Sequence, residues 1–346
     1  MTSAMQAEAV KAPPLLEVSG LRTHFRTARG VVRAVDGVDL RVERGEILGI
    51  VGESGSGKSV LAQSIVRTLS PAQLALSTGS VRFDGTDLMD LGEEGMRQLR
   101  GSRLAMVTQN PSTALNPVFR IRAQMLEIWR FHPERRRPGM SAESRMRQLL
   151  AEVQLPAPDR VARSYPFELS GGMKQRVAIS MALMGEPDLL IADEPTTALD
   201  VTIQAQILEL IRNTRRAHGT AVMLITHDLG VVARLCDTVA VMYAGKIVEY
   251  RPTRALFESP HHPYTQGLLA SNPVFGRRRS SLSAMPGHPP DLLAMPEGCA
   301  FLPRCPQSTP SCSREAPAQV DLPGGYHHRC PISSTAYVAQ ATASER

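Results

Sequence analysis

Eight residues decide the fold: Gly52-Glu53-Ser54-Gly55-Ser56-Gly57-Lys58-Ser59. They match the pattern G-x-x-x-x-G-K-[ST] in full, directly after an apolar strand-like stretch and before a helix-forming one. Such glycines let successive backbone N–H groups curl around phosphates, and the following helix N-terminus adds a partial positive charge. All eight residues are therefore predicted to bind a nucleoside triphosphate. Lys58 would reach its β/γ-phosphates, and the Ser59 hydroxyl would ligate Mg²⁺.

A second apolar stretch, Leu189–Ala192, ends in the acids Asp193 and Glu194. In a phosphate-loop protein, an acid at the end of this strand lies beside Mg²⁺, so Asp193 is a predicted metal ligand. Glu194 is then placed to polarise the attacking water, which is a general-base role. Taken alone, the pair could equally be two solvated acids at a strand end. Its position after a complete phosphate loop favours the catalytic interpretation.

The octet Leu-Ser-Gly-Gly-Met-Lys-Gln-Arg at residues 169–176 narrows the class of phosphate-loop protein. It resembles the signature motif of ABC-type ATPases, and it precedes the acidic strand as it does in that family. An isolated Ser-Gly-Gly would be taken for an ordinary helix cap. The resemblance implies that Ser170, Gly171 and Gly172 contact ATP held by the phosphate loop of a partner subunit.

Other positions of this sequence match further motifs of the same family. Gln109 matches the Q-loop residue, which implies contact with Mg²⁺ or the attacking water. Asp200, in Ala198-Leu199-Asp200, matches the D-loop that crosses the dimer interface. His227, in Ile225-Thr226-His227-Asp228, matches the switch histidine that contacts the γ-phosphate. Phe25 is the candidate for the aromatic ring that stacks on adenine.

The resemblance covers residues 15–258 with its motifs intact. It implies an α/β fold: a P-loop NTPase core of the ABC type with an antiparallel β subdomain and a helical subdomain at about 110–185. Residues 1–14 are expected to be a flexible N-terminus. Composition shifts toward Pro, Ser, Gly and Arg from about residue 259, so residues 259–346 are predicted to form a small Cys-rich extension.

Three stretches resemble the ATPase subunits of oligopeptide, dipeptide and nickel permeases: residues 109–117, 171–177 and 262–265. The second is closer to the D-type subunit than to its F-type partner. The resemblance implies ATP-driven peptide import. Its implied partners are a paralogous F-type ATPase, two transmembrane permease subunits docked on residues 110–160, and an extracytoplasmic binding protein. It implies a place on the cytoplasmic face of the plasma membrane. Nickel or another small solute remains an alternative cargo. The alternative functions are a non-transport ABC ATPase and an unrelated P-loop switch protein.

Composition limits the alternatives only mildly. The chain has 346 residues, with 39 Lys+Arg against 33 Asp+Glu, so its formal charge is +6. That balance permits an anionic surface but does not require nucleic acid, and none is predicted as a partner. No apolar run reaches the roughly 18 residues of a membrane span, and the first residues do not read as a signal peptide.

Four of the five cysteines lie within 32 residues: Cys299, Cys305, Cys312 and Cys330. Their spacing, C-x5-C-x6-C-x17-C, contains no C-x2-C pair and fits common zinc sites poorly. Four thiolates are the number a 4Fe–4S cluster needs, and the permease resemblance implies such a cluster here. Zinc, free thiols or disulfides remain alternatives. We therefore expect one metal centre to hold the tail together and to take no part in the catalytic cycle. His327 and His328 are expected to lie at the surface.

Overall fold

The structure is a computed structural model that describes residues 13–135, 138–196, 200–271 and 285–331. The predicted flexible segment 1–14 lies almost wholly outside these ranges. The strands are β1 (Leu16–Thr27), β2 (Gly30–Val42), β3 (Ile47–Val51), β4 (Leu74–Phe83), β5 (Thr86–Asp87), β6 (Leu104–Val107), β7 (Leu189–Asp193), β8 (Ala221–Ile225), β9 (Thr238–Tyr243), β10 (Lys246–Pro252), β11 (Val320–Leu322) and β12 (Tyr326–His328). The α-helices are α1 (Lys58–Ile65), α2 (Glu93–Leu99), α3 (Pro111–Ala114), α4 (Ile121–Phe131), α5 (Ala142–Glu152), α6 (Pro158–Arg163), α7 (Gly171–Ala182), α8 (Val201–His218), α9 (Leu229–Leu235), α10 (Thr253–Glu258) and α11 (Pro263–Ser271).

The larger sheet carries the predicted nucleotide motifs at its strand ends. Its order is β11-β12-β10-β9-β3-β8-β7-β6, and the five strands from β9 to β6 run parallel. Every residue of β3, β7, β8 and β9 is buried. Strands covered on both faces in this way read as continuous apolar runs, which is the pattern seen in the sequence. In open parallel sheets, ligands bind beyond the carboxyl ends of the strands.

A second sheet of four antiparallel strands covers one face of the first. Its order is β2-β1-β4-β5. Inward side chains of β1 and β2, such as Val18 and Val35, share a core with Leu61 of α1 and Ile50 of β3. The predicted antiparallel subdomain is therefore confirmed, and its packing fixes α1 against the large sheet.

The chain between β6 and β7 is helical, from α3 through α7. Ile121, Met125 and Trp129 of α4 are buried at four-residue spacing, which places one helix face in the larger core. The predicted helical subdomain is part of the confirmed fold. None of the helices in the described ranges is long and apolar enough to cross a lipid bilayer.

The described residues after 258 (259–271 and 285–331) pack against the main body of the chain, and the domain boundary near residue 258 stays a prediction. Strand β12 pairs with β10 through His328 opposite Glu249, so the tail extends the main sheet. Tyr264 and Phe301 are buried in the larger core. The pairing with β12 covers the backbone edge that β10 would otherwise leave without hydrogen-bond partners. The expectation that His327 and His328 lie at the surface is wrong for the same reason, since both are buried in β12.

Candidate active site

The phosphate loop connects β3 to α1, and two of its glycines have no room for a side chain. Gly57 has a φ of 104°, and a Cβ there would stand 2.1 Å from the Ala34 carbonyl oxygen. A Cβ on Gly52 would stand 2.1 Å from the carbonyl oxygen of Met242. The loop backbone is thus packed directly against β2 and β9. This close approach explains why glycine is needed at both positions.

Lys58, the first residue of α1, holds the loop together from inside. Its ammonium donates to the carbonyl oxygens of Gly52 at 2.8 Å and Glu53 at 2.9 Å. Burial lowers the pKa of Lys58, while the nearby carboxylates of Glu194, Asp193 and Glu53 oppose that shift. A buried cation and two strand-end acids therefore lie at one place, as the sequence predicts for a phosphate site.

Asp193, at the end of β7, fits a divalent cation. Its side chain is buried, and its Oδ1 atom has no hydrogen-bond partner among the described residues. Burial raises the pKa of Asp193, and a hydrogen bond from the Ser59 hydroxyl acts in the opposite direction. An unpartnered carboxylate oxygen beside a hydroxyl is the oxygen-rich environment that Mg²⁺ prefers. Ser59 and Asp193 are the residues that could hold it.

Glu194 is the centre of a group drawn from three parallel strands. Gln109, which follows β6, donates from its side-chain amide to Glu194 Oε2 at 3.0 Å. Nδ1 of His227, which follows β8, lies 3.6 Å from Glu194 Oε1. The Glu194 backbone has a φ of 47°, and its N–H donates to the Ile225 carbonyl at 2.9 Å. A non-glycine residue in this left-handed conformation is strained, and such strain persists where surrounding contacts hold it.

The predicted trans-acting residues cap two helices. The Ser170 hydroxyl accepts the Met173 N–H at 3.3 Å at the start of α7, which begins with Gly171 and Gly172. Asp200 accepts the Ile203 N–H at 2.9 Å at the start of α8. Both capping side chains are exposed. Ala198 and Leu199 of the predicted D-loop lie outside the described residues.

Phe25, the predicted adenine contact, lies in the smaller sheet. It is half-buried on β1, where it pairs with Val32 of β2 and Leu74 of β4. The two-residue turn at Ala28 and Arg29 joins β1 to β2 just beyond it. Its contact with adenine stays a prediction.

Two residues that touch the phosphate loop were not among the predicted site residues. The Arg304 guanidinium pairs with the Glu53 carboxylate, and the Tyr264 hydroxyl accepts the Glu53 N–H. Tyr264 belongs to the stretch His262-Pro263-Tyr264-Thr265 that carries part of the permease resemblance, so a sequence signal existed. Arg304 lies between two of the tail cysteines and had no such signal.

The predicted four-cysteine metal centre is not supported. Across the described ranges, no three or more His, Cys, Asp or Glu side chains are grouped to hold a metal ion. Burial raises the pKa of Cys299 and of Cys305, and the neighbouring Cys312 raises both pKa values further. The hydrogen bond with Thr309 lowers the pKa of Cys312. Neither a 4Fe–4S cluster nor zinc follows from this arrangement.

Comparison with known proteins gives matches over both halves of the chain. The ABC transporter family matches residues 35–197, and the C-terminal region of oligopeptide/dipeptide transporters matches residues 248–312. The probable D,D-dipeptide transport ATP-binding protein DdpD of Escherichia coli K12 is 46% identical over 318 residues, which are 92% of this chain and 95% of that protein. The oligopeptide transport ATP-binding protein OppD of Salmonella typhimurium LT2 is 44% identical over 313 residues, or 90% and 91% of the two chains.

A solved structure gives the same result at the level of the fold. It is the dimeric post-hydrolysis state of the ATP-binding cassette MJ0796 with ADP and phosphate. The TM-score is 0.61 at 26% identity, over 69% of this chain and 99% of that one. With the phosphate loop, the strand-end acids and both family matches in agreement, this chain belongs to the ATP-binding subunits of oligopeptide and dipeptide ABC transporters.

Proposed function

We propose that this chain is the D-type ATPase of a peptide importer and that its ATP hydrolysis drives peptides through a membrane permease. The observation that carries the proposal is the convergence of Lys58, Asp193, Glu194, Gln109 and His227 at the strand ends. Relatives named as dipeptide and oligopeptide transport proteins support the cargo class. The D-type assignment rests on residues 171–177 and agrees with the names DdpD and OppD.

The residues have separate tasks in the proposed reaction. The loop N–H groups and Lys58 bind the β- and γ-phosphates of ATP. Ser59 and Asp193 hold Mg²⁺, with Gln109 as a further ligand, and the bound cation would neutralise phosphate charge. Glu194 accepts the proton of the attacking water, while Gln109 and His227 fix the direction of its carboxylate.

Ser170, Gly171, Gly172 and Asp200 are proposed to act on ATP bound by a partner ATPase. No hydrogen bond between described residues joins Ser170 or Asp200 to the chain's own phosphate loop. The start of α7 is exposed and presents N–H groups with a partial positive charge, which suits a γ-phosphate. We propose that the partner is a paralogous F-type subunit.

Replacement of Ser170 by alanine tests this trans role. We expect the variant chain to bind ATP with unchanged affinity, because its own phosphate loop is intact. ATP-dependent association with the partner ATPase should weaken about tenfold, the size of one lost charge-assisted hydrogen bond. Calorimetry and analytical ultracentrifugation measure the two quantities.

Ser141 supplies the matched control for that experiment. It caps α5 as Ser170 caps α7, with its hydroxyl accepting the Ser144 N–H at 3.1 Å. Ser141→Ala removes a cap of the same kind and should leave ATP-dependent association unchanged. Weakened ATP binding by the isolated Ser170→Ala chain would instead indicate a role within one chain and contradict the trans assignment.

We propose that the assembly lies on the cytoplasmic face of the membrane, attached through two permease subunits and fed by an extracytoplasmic binding protein. Deletion of the gene should abolish uptake of radiolabelled di- and oligopeptides, and the wild-type gene should restore it. Uptake of labelled ⁶³Ni²⁺ serves as the parallel measurement. Loss of nickel uptake with peptide uptake intact would replace peptides by nickel as the cargo.

A 4Fe–4S cluster bound by the four tail cysteines, with zinc as its alternative, is a separate prediction from the ATPase function. We assign no step of ATP hydrolysis to the four tail cysteines. Metal analysis of the chain purified without oxygen tests the prediction. About four irons and four acid-labile sulfides per chain would establish the cluster, whereas metal-free chain would dismiss it.

A further inference from the structure

The C-terminal extension reaches the phosphate loop through an arginine–carboxylate pair. Arg304 donates from Nη1 to Glu53 Oε2 at 2.7 Å and from Nη2 to Glu53 Oε1 at 2.8 Å. Two parallel charge-assisted bonds of this kind fix orientation as well as distance. The Arg304 side chain is only 3% exposed, against 27% for that of Glu53. The guanidinium is therefore shielded from water, while the carboxylate keeps some access to it.

Arg304 is itself held by its surroundings. Its Nε donates to the Pro286 carbonyl at 2.9 Å, so the guanidinium plane is fixed from the other end. Its Cζ atom lies 5.9 Å from the ring centroids of both Tyr243 and Phe301. Aromatic faces at this distance attract a cation. The extension thus presents a preorganised guanidinium to the loop.

The backbone of Glu53 is held at both of its polar groups. Its N–H donates to the hydroxyl of Tyr264 at 2.9 Å, and its carbonyl accepts from Lys58 at 2.9 Å. Tyr264 is fully buried, with ring centroids 4.5 Å from Tyr243 and 5.5 Å from Phe301. Glu53 therefore has a partner for its N–H, its carbonyl and its carboxylate. Two of these three partners come from the extension.

We propose that Arg304 and Tyr264 are positioning residues of the phosphate loop, which hold Glu53 so that the loop N–H groups and Lys58 keep the geometry that receives ATP. The inference rests on the proposed ATPase function. A catalytic or binding geometry displaced by about 1 Å loses much of its effect, so remote groups that fix it influence binding. Arg304 and Tyr264 touch no reacting atom. Their effect should fall on ATP affinity, because the Glu194 group lies outside their contacts.

Arg304→Gln is the main test. It removes the positive charge and the two parallel N–H donors of the guanidinium but keeps most of the side-chain length. We expect the Kd and the KM for ATP to rise about tenfold, with kcat of the assembled transporter changed less than about twofold. Arg304→Lys should bind ATP more tightly than Arg304→Gln, since it keeps the positive charge but not the two parallel donors. Arg304→Gln and Glu53→Gln each break the same Arg304–Glu53 pair. The double variant should therefore bind ATP about as well as the weaker-binding of the two single variants.

Arg329 provides a matched control. It also joins the extension to the body, by donating to Asp39 Oδ2 and the Gly37 carbonyl at 3.3 Å each, but its described contacts do not include the phosphate loop. Arg329→Gln should leave the Kd, KM and kcat unchanged. If Arg329→Gln weakens ATP binding as much as Arg304→Gln, the extension acts by general stabilisation and the positioning role is wrong.

Tyr264→Phe decides the question if Arg304→Gln does not fold, as judged by circular dichroism. It keeps the ring in the core and removes only the acceptor of the Glu53 N–H, so a raised Kd supports the proposal and an unchanged Kd overturns it. A folded Arg304→Gln chain with wild-type Kd also overturns it. Wild-type chain that binds no ATP would overturn the proposed function itself, and this role with it.

Discussion

A Glu194→Gln variant is expected to bind ATP normally and to hydrolyse it at least about a hundredfold more slowly than the wild type. The amide keeps the size of the side chain and an oxygen that can accept from Gln109, whose amide lies 3.0 Å from Glu194 Oε2. It cannot take a proton from water at neutral pH. Because binding precedes hydrolysis, ATP should accumulate in a closed pair of subunits. Single-turnover kinetics and size-exclusion chromatography with ATP measure both effects.

Glu152→Gln is the control for that substitution. Glu152 is exposed near the end of α5, and the same change of charge there should leave both ATP binding and hydrolysis unaltered. Hydrolysis by Glu194→Gln at the wild-type rate would show that Glu194 is not the general base. A loss of ATP binding would show that its carboxylate organises the site before the reaction.

Lys58→Ala is expected to impair ATP binding, the step before hydrolysis. The affinity should fall about a hundredfold, as expected for lost charge-assisted hydrogen bonds to phosphate. The ammonium is buried and bonded to the carbonyls of Gly52 and Glu53. Its removal therefore also frees the loop backbone. Titration calorimetry with ATP measures the loss.

Lys246→Ala supplies the matched comparison for Lys58→Ala. Lys246 is a half-buried lysine whose Nζ lies 3.2 Å from Asp36 Oδ2, and it lies outside the phosphate loop. It should retain ATP affinity. Lys58→Ala and Glu194→Gln then separate the two steps, because the first is expected to impair ATP binding and the second ATP hydrolysis. An unchanged Kd in Lys58→Ala would remove Lys58 from the phosphate site.

The nucleotide-binding centre could be predicted because its signals are local. An apolar strand, a glycine-rich loop and a helix follow one another within residues 46–65, so their order in the sequence is also their order in space. The hairpin of β9 and β10 is equally local, because its two strands are joined by the turn at residues 244–245. Parallel strands then bring Gln109, Glu194 and His227 to one sheet edge. Their family motifs identify them before any distance is known.

The role of the tail could not be predicted because its contacts join distant parts of the chain. Arg304 and Glu53 are 251 positions apart, and neither local periodicity nor composition records such a pair. Pro- and Ser-rich composition predicts a domain boundary, but it does not record how the edge of β10 and the buried rings of Tyr264 and Phe301 tie the tail to the core. Cysteine spacing gave a ligand count, but it could not show whether the thiols are grouped.

The most direct test of the account is ATP hydrolysis by the complete transporter in proteoliposomes, measured with and without peptide-loaded binding protein. We expect peptide to accumulate inside the vesicles only with ATP, and hydrolysis to rise when the loaded binding protein is added. Transporter assembled with the Glu194→Gln chain should show neither effect. Peptide uptake that proceeds equally well without ATP, or with the Glu194→Gln chain, would contradict the central claim that hydrolysis by this chain drives import.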